Sequence, residues 1–340
     1  MKLKAAVVGL GYWGPNLARN LAGSGDFSLA GLCDLDVARL ERVGAQYPAA
    51  ERFTDLNALL ARVRPDLVCI ATPVASHHAL AAKALQAGAH VFVEKPLTIT
   101  GAQSRELLSL AASHGRHVFV DHTFLFTGAV QELKKQVSGG AIGELLYVDS
   151  VRINLGLFQP DVDVVWDLAP HDLSILHHVM GQVPTGVRTL GSCHSPSGLA
   201  DVAYLHLVYD KAITAHLHLS WLSPVKVRRM IFAGTKQSII YDDLEAAEKV
   251  KIYDHGVDFD VKDLEERRRV LVSYRKGDMR APNIAATEAL TVELQNVAAT
   301  VRGQASARAS GADGAAVVRV LEAAQRSLAQ GGALVAVEGA

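Results

Sequence analysis

Three side chains in two short segments have the types and spacing needed to take a proton from a hydroxyl while a hydride leaves the same carbon. They are Lys95 in Glu94-Lys95-Pro96, and Asp167 and His171 in Trp166-Asp167-Leu168-Ala169-Pro170-His171-Asp172. An imidazole titrates near neutral pH and can accept the hydroxyl proton, while a nearby ammonium stabilises charge developing on oxygen. Asp167 and His171 are four positions apart, so they share one face if the segment is helical, and Asp167 has equally the chemistry of a helix N-cap. The trio suits alcohol–ketone interconversion. Other chemistries lack their residues: His77-His78 and His177-His178 are adjacent and diverge, no HExxH or CxxC accompanies them, and no metal site is expected. No GxSxG elbow offers a hydrolase nucleophile.

A departing hydride needs an acceptor, and the first residues supply a place for one. The run MKLKAAVVGLGYWG sets a short apolar strand, Ala5 to Val8, directly against Gly9-x-Gly11-x-x-Gly14. Gly9 permits the tight turn, Gly11 lets backbone N–H groups approach a pyrophosphate, and Gly14 lets strand and helix pack closely. Pro15 to Leu21 suits a helix with proline in its first turn, and the helix N-terminus adds partial positive charge. Phe27 to Cys33 reads as a second strand ending at Asp34, 20 residues after Gly14. A carboxylate there accepts both ribose hydroxyls and repels a 2′-phosphate, which favours NAD over NADP.

These residues need elements to hold them, and through residue 122 the chain alternates short apolar runs with helical periodicity. Leu67 to Ala71, His90 to Val93 and His117 to Val120 read as strands, with helices at Ala79 to Ala87 and Ser104 to Ala112 between them. Continuously apolar strands imply burial on both faces, hence an α/β Rossmann domain with a doubly wound parallel sheet over residues 1–122. Lys95 then sits at the carboxyl edge, where ligands bind, and Pro96 is a candidate for a cis peptide. Beyond Phe124 the period becomes two, most plainly at Ile213 to Trp221. With Leu145 to Ile153, Ala203 to Tyr209 and Val227 to Ala233, this predicts an α+β domain over 123–340 with a large, mainly antiparallel open sheet. Ala285 to Val301 and Ala315 to Leu328 read as helices.

Composition narrows the partners. The 340 residues carry 49% hydrophobic content, and 34 basic residues balance 35 acidic ones, so neither nucleic acid nor an anionic membrane is expected and a small molecule is. The run Glu265-Glu266-Arg267-Arg268-Arg269 mixes signs, as a solvated helical face does. Cys33, Cys69 and Cys193 are scattered, two of them in apolar strands, which fits a reducing cytoplasm, and no apolar run is long enough to span a bilayer.

Taken together, these motifs resemble the Gfo/Idh/MocA oxidoreductases, named for glucose–fructose oxidoreductase and inositol dehydrogenase. The resemblance runs from the GLGYWG turn through Ala71-Thr72-Pro73 with His77, Glu94-Lys95-Pro96, Asp167 with His171, and Phe232-Ala233-Gly234-Thr235. It implies a Rossmann domain followed by a sheet whose outer face makes homo-oligomer contacts, as a dimer or tetramer. It implies that Lys95 and His171 sit beside the substrate carbon and nicotinamide, with Asp167 assisting. Gly9, Gly11, Tyr12, Trp13, Gly14, Asp34, Thr72, Pro73, His77, Glu94 and Lys95 then border the cofactor. The strings Trp166 to Asp172 and Asp121-His122-Thr123-Phe124 are similar to members acting on sugars and nucleotide-linked sugars. Lys95, His171, Arg152 and Asn154 are expected to meet such a substrate, the last two from one face of a strand. Relatives that recycle NAD within the site to cleave or epimerise sugars, and dinucleotide-sensing proteins without catalysis, stay open as alternatives.

Overall fold

The run Leu3–Val8 forms β1, buried from Ala5 onward, and leads straight into the glycine turn. The computed structural model describes residues 1–156, 158, 162–254, 256–258, 273–275 and 277–339; the charged run Glu265 to Arg269 lies outside them. After β1 come α1 (Gly14–Gly23), β2 (Phe27–Cys33), α2 (Val37–Gly44), β3 (Glu51–Phe53), α3 (Leu56–Val63), β4 (Leu67–Ile70), α4 (His77–Gln86), β5 (His90–Glu94), α5 (Gly101–Ser113) and β6 (Val118–Asp121). The strands form one six-stranded parallel sheet in the order β3-β2-β1-β4-β5-β6. Every residue of β4 and β6 is buried, as a sheet covered on both faces requires. The order reverses between β1 and β4, the switch point at which a crevice opens beyond the strand carboxyl ends. Cys33 and Cys69 are buried in β2 and β4, and burial pushes the Cys33 thiol up to about 11.

Local signals start the helices. Asp36, Asp55 and Thr100 each accept a backbone N–H from the first turn of α2, α3 and α5. Strand β3 carries no apolar pattern, since Glu51 and Arg52 at this sheet edge are exposed, and periodicity could not mark it.

The second half forms α6 (Gly128–Ser138), β7 (Leu145–Leu155), α7 (Val164–Met180), β8 (Gly186–Ser192), β9 (Val202–Val208), β10 (Thr214–Ser220), β11 (Leu222–Gly234), β12 (Ser238–Asp242), β13 (Val250–Tyr253), β14 (Gly256–Asp258), β15 (Ser273–Arg275) and β16 (Met279–Arg280). The chain closes with α8 (Ala289–Val301), α9 (Gly311–Ala329) and β17 (Val335–Ala336). A nine-stranded sheet runs β16-β13-β12-β11-β7-β10-β9-β8-β17, antiparallel throughout except at β7–β10. Period two holds as expected: Ala215, Leu217 and Leu219 of β10 are buried on the face that α7 covers, while His216 is exposed on the other.

One boundary differs from the sequence expectation of a single break after residue 122. The chain divides into a unit of Met1–Phe126 with Thr287–Arg319, and a second of Thr127–Ala286 with Val320–Ala340. Leu290, Leu294, Val297 and Ala298 of α8 join the core cluster that holds Leu17, Leu21, Phe92 and Phe119. An apolar stripe announces that a helix must be covered, but does not say by which strands.

Within the second unit a buried ion pair pins α7 to β7. Arg152 Nε and Nη2 donate to Asp172 Oδ1 at 2.8 and 2.6 Å, and the Ser150 hydroxyl donates to Asp172 Oδ2 at 3.1 Å. Burial works against the guanidinium charge, but Asp172 outweighs it and holds Arg152 firmly protonated. Replacing Asp172 by alanine strands that charge in the interior, so Asp172→Ala is expected to lower the unfolding free energy by roughly 3–5 kcal/mol in urea titrations. The double variant Asp172→Leu with Arg152→Met is expected to recover most of that loss.

Candidate active site

At the carboxyl end of β1 the backbone folds onto itself too closely for side chains. Gly9 has φ +90°, and a Cβ there would stand 2.5 Å from the Ala71 carbonyl oxygen; a Cβ on Gly14 would stand 1.9 Å from that of Gly9. Gly11 differs, because a Cβ there would meet nothing within 4 Å. Its bareness is not needed for packing and leaves open space beside the turn that leads into α1, whose N-terminus no side chain caps. That is the shape a pyrophosphate fills, so these residues fit a dinucleotide. Asp34 closes the second strand: Oδ2 accepts the Leu10 N–H at 2.6 Å and Oδ1 the Asp36 N–H at 2.8 Å. Each carboxylate oxygen keeps acceptor capacity for a ribose hydroxyl. Tyr12 is 88% exposed, whereas the Trp13 indole turns inward and donates to Asp121 Oδ2 at 2.5 Å.

The loops after β4 and β5 are tied together. Thr72 bonds Ser76 through their hydroxyls at 2.7 Å, and Pro73 is exposed. His77, which the sequence sets beside the cofactor, is only 1% exposed. Its Nε2 lies 2.8 Å from the Thr72 carbonyl oxygen and its Nδ1 3.0 Å from that of Pro96, so the ring bridges two loops. Burial, aided by the Lys95 charge, lowers its pKa, while the carbonyl contacts at both ring nitrogens work in the opposite direction. Lys95 directly follows β5, partly buried, its N–H bonded to Glu94 Oε2 at 2.5 Å, and the Lys95–Pro96 peptide is cis.

In the second unit α7 carries both Asp167 and His171, one turn apart on one face and each partly buried. The helix starts earlier than its motif suggests. Asp163 is the N-cap, accepting the Val165 and Trp166 N–H groups at 3.0 Å, which frees Asp167 of that duty. Asp167 Oδ2 instead accepts the indole N–H of Trp221 at 3.1 Å, and Trp221 is buried. Of the two β7 residues assigned to substrate, Asn154 is partly buried, while the Arg152 side chain is 5% exposed and paired with Asp172. Sequence reading missed Trp221 and Asp121 as anchors, since no spacing rule links positions 54 or 108 residues apart. Among the described residues no three His, Cys, Asp or Glu side chains cluster as metal ligands, and no helix is long and apolar enough to cross a membrane.

Known proteins share this architecture. Residues 3–122 match a family described as an oxidoreductase family with an NAD-binding Rossmann fold, and residues 130–240 match the GFO/IDH/MocA C-terminal domain. The chain is 30% identical to UDP-N-acetylglucosamine 3-dehydrogenase of Acidithiobacillus ferrooxidans, over 67% of this chain and 70% of that one. It is 24% identical to inositol 2-dehydrogenase of Rhizobium meliloti over 97% of this chain and 98% of that one. A solved structure of the Acidithiobacillus protein has the same fold, with a TM-score of 0.82 at 24% identity, covering 97% of this chain and 99% of that one.

The three glycines are expected to separate by variant. Gly11→Val should leave the unfolding free energy within about 1 kcal/mol of the wild type, because its side chain enters open space, yet weaken NAD binding by at least about tenfold in calorimetric titration. Gly14→Ala, driven into the Gly9 carbonyl, should lose both stability and binding.

Proposed function

From the premise that this chain belongs to the GFO/IDH/MocA oxidoreductases, a family with an NAD-binding Rossmann domain, we propose that it interconverts a secondary hydroxyl and a ketone on a sugar, nucleotide sugar or cyclitol. The observation that carries this reading is that the glycine turn after β1 and Lys95 after β5 belong to one carboxyl edge of one parallel sheet. That edge is where such sheets take their ligands. Bound there, NAD supplies the hydride acceptor. His171 takes the hydroxyl proton as general base, and the Lys95 ammonium stabilises negative charge on the same oxygen. Asp167, steadied by the Trp221 indole, orients the imidazole and favours its protonated form. Asp34 takes the ribose hydroxyls, which selects NAD, and Asn154 takes a substrate hydroxyl. Thr72, Pro73, Glu94 and Tyr12 line the cofactor. The similarity to a UDP-sugar 3-dehydrogenase supports the substrate class.

The open face of the nine-stranded sheet bears Tyr147, Leu190 and Tyr204, 43%, 59% and 43% exposed, with Tyr204 stacked on His218 at 4.6 Å. A second copy of the chain covers this face in a homo-oligomer.

Lys95→Ala and His171→Ala are expected to keep their circular dichroism spectra but lose about 10²–10⁴-fold in kcat/KM on the best substrate of a panel of UDP-sugars, glycosides and inositols, followed as NADH absorbance. Either variant retaining wild-type turnover removes the assigned role. Native mass spectrometry is expected to find two or four chains per particle, and the variant Leu190→Glu with Tyr204→Glu to shift the protein to a single chain.

A further inference from the structure

Two carboxyl groups lie sealed inside the first unit, Asp121 at the end of β6, 2% exposed, and Glu293 on α8, 0% exposed. They face one another, and Asp121 is in register with Glu94 on β5, the residue before Lys95. Two carboxyls in contact without water cannot both ionise, so the pair holds one proton between its members. Hydrogen bonds decide which member keeps it. Asp121 accepts from the Trp13 indole and from the Thr123 hydroxyl, the pattern of a carboxylate, and the Lys95 ammonium favours its charge. Glu293 has Asp121 and the His122 backbone N–H as polar neighbours, yet both its carboxyl oxygens are buried and accept no hydrogen bond from any described residue, which leaves a Glu293 anion without a bonded donor to stabilise it. Burial pushes both carboxyls up, and the Asp121 charge pushes Glu293 higher still. The other ionisable groups acting on the pair are Cys69 on β4, Glu94, which further opposes ionisation of Glu293, and Arg308, which lies 4.9 Å over the Phe126 ring. Arg308 and the His122 backbone N–H favour a Glu293 anion, and the Arg308 charge is itself opposed by burial.

We propose that Glu293 is a positioning residue: as a neutral carboxylic acid it donates a hydrogen bond to Asp121, and the single negative charge of the pair holds the Trp13 indole of the glycine turn and the Lys95 ammonium. The pair thereby couples residues 13 and 95, which the sequence keeps far apart. Its functional consequence rests on the role assigned to Lys95 above, whereas its protonation does not.

The test uses the full chain. Infrared spectra of the cofactor-free protein at about pH 8, where ordinary carboxyls are ionised, are expected to contain a protonated-carboxyl C=O band that Glu293→Gln removes. Glutamine keeps a donor toward Asp121, so Glu293→Gln is expected to bind NAD within about threefold of the wild type, and Glu293→Ala about tenfold more weakly. Absence of a band removed by Glu293→Gln overturns the proposal, and so does NAD binding by Glu293→Gln as weak as that of Glu293→Ala. If the wild type itself does not bind NAD, the functional reading fails, while the infrared result still decides the protonation of Glu293.

Discussion

The first unit is organised around a backbone contact that only glycine permits. The Cα of Gly14 lies against the carbonyl oxygen of Gly9, and Gly9 lies against that of Ala71, so β1, the start of α1 and the loop after β4 meet with no side chain between them. The parallel sheet can present two strand ends and a helix start in one place because of that contact. It fixes where the N-terminus of α1 points, and its open partner Gly11 marks the side that faces outward. Asp34 is tied to this join through the Leu10 N–H, and Asp121 through the Trp13 indole.

In the second unit the comparable constraint is the seating of α7 on the sheet. Its apolar residues are buried, but apolar contact alone permits a helix to slide and rotate. Asp167 bonded to Trp221 and Asp172 clamped by Arg152 and Ser150 fix it at two points along its length, while Asp163 caps the helix's own first turn. Asp167 and Asp172 point to different partners, and His171 lies between them on a helix that cannot turn without breaking one of those bonds. The buried charges cost desolvation, and their return is a single orientation for the face that carries the imidazole.

Histidine and arginine show how burial reassigns a residue. His77 and Arg152 have the chemistry to meet a ligand, and the sequence reading set the first beside the cofactor and the second beside the substrate. In the fold His77 bridges the Thr72 and Pro96 carbonyls, and Arg152 faces Asp172. Each stands one step behind the groups expected to touch substrate or cofactor, holding loop or helix in place.

Five of the six strands of the parallel sheet, the glycine turn, Asp34 at the end of β2 and Lys95 at the end of β5 were legible in the sequence. Each depends on local spacing: glycines close a turn, an apolar run of four or five residues makes a buried strand, and the residue after it is at the sheet edge. The period-two pattern of β10 likewise announced a sheet with two unlike faces. Tertiary structure alone decided that residues 287–319 pack with the first unit, that Asp163 rather than Asp167 caps α7, that Trp221 holds Asp167, and that Glu293 is sealed inside the first unit. Those outcomes depend on which distant surface covers an apolar stripe and which distant donor reaches a buried acceptor, and spacing along a chain encodes neither until packing has excluded the water that would otherwise serve as partner.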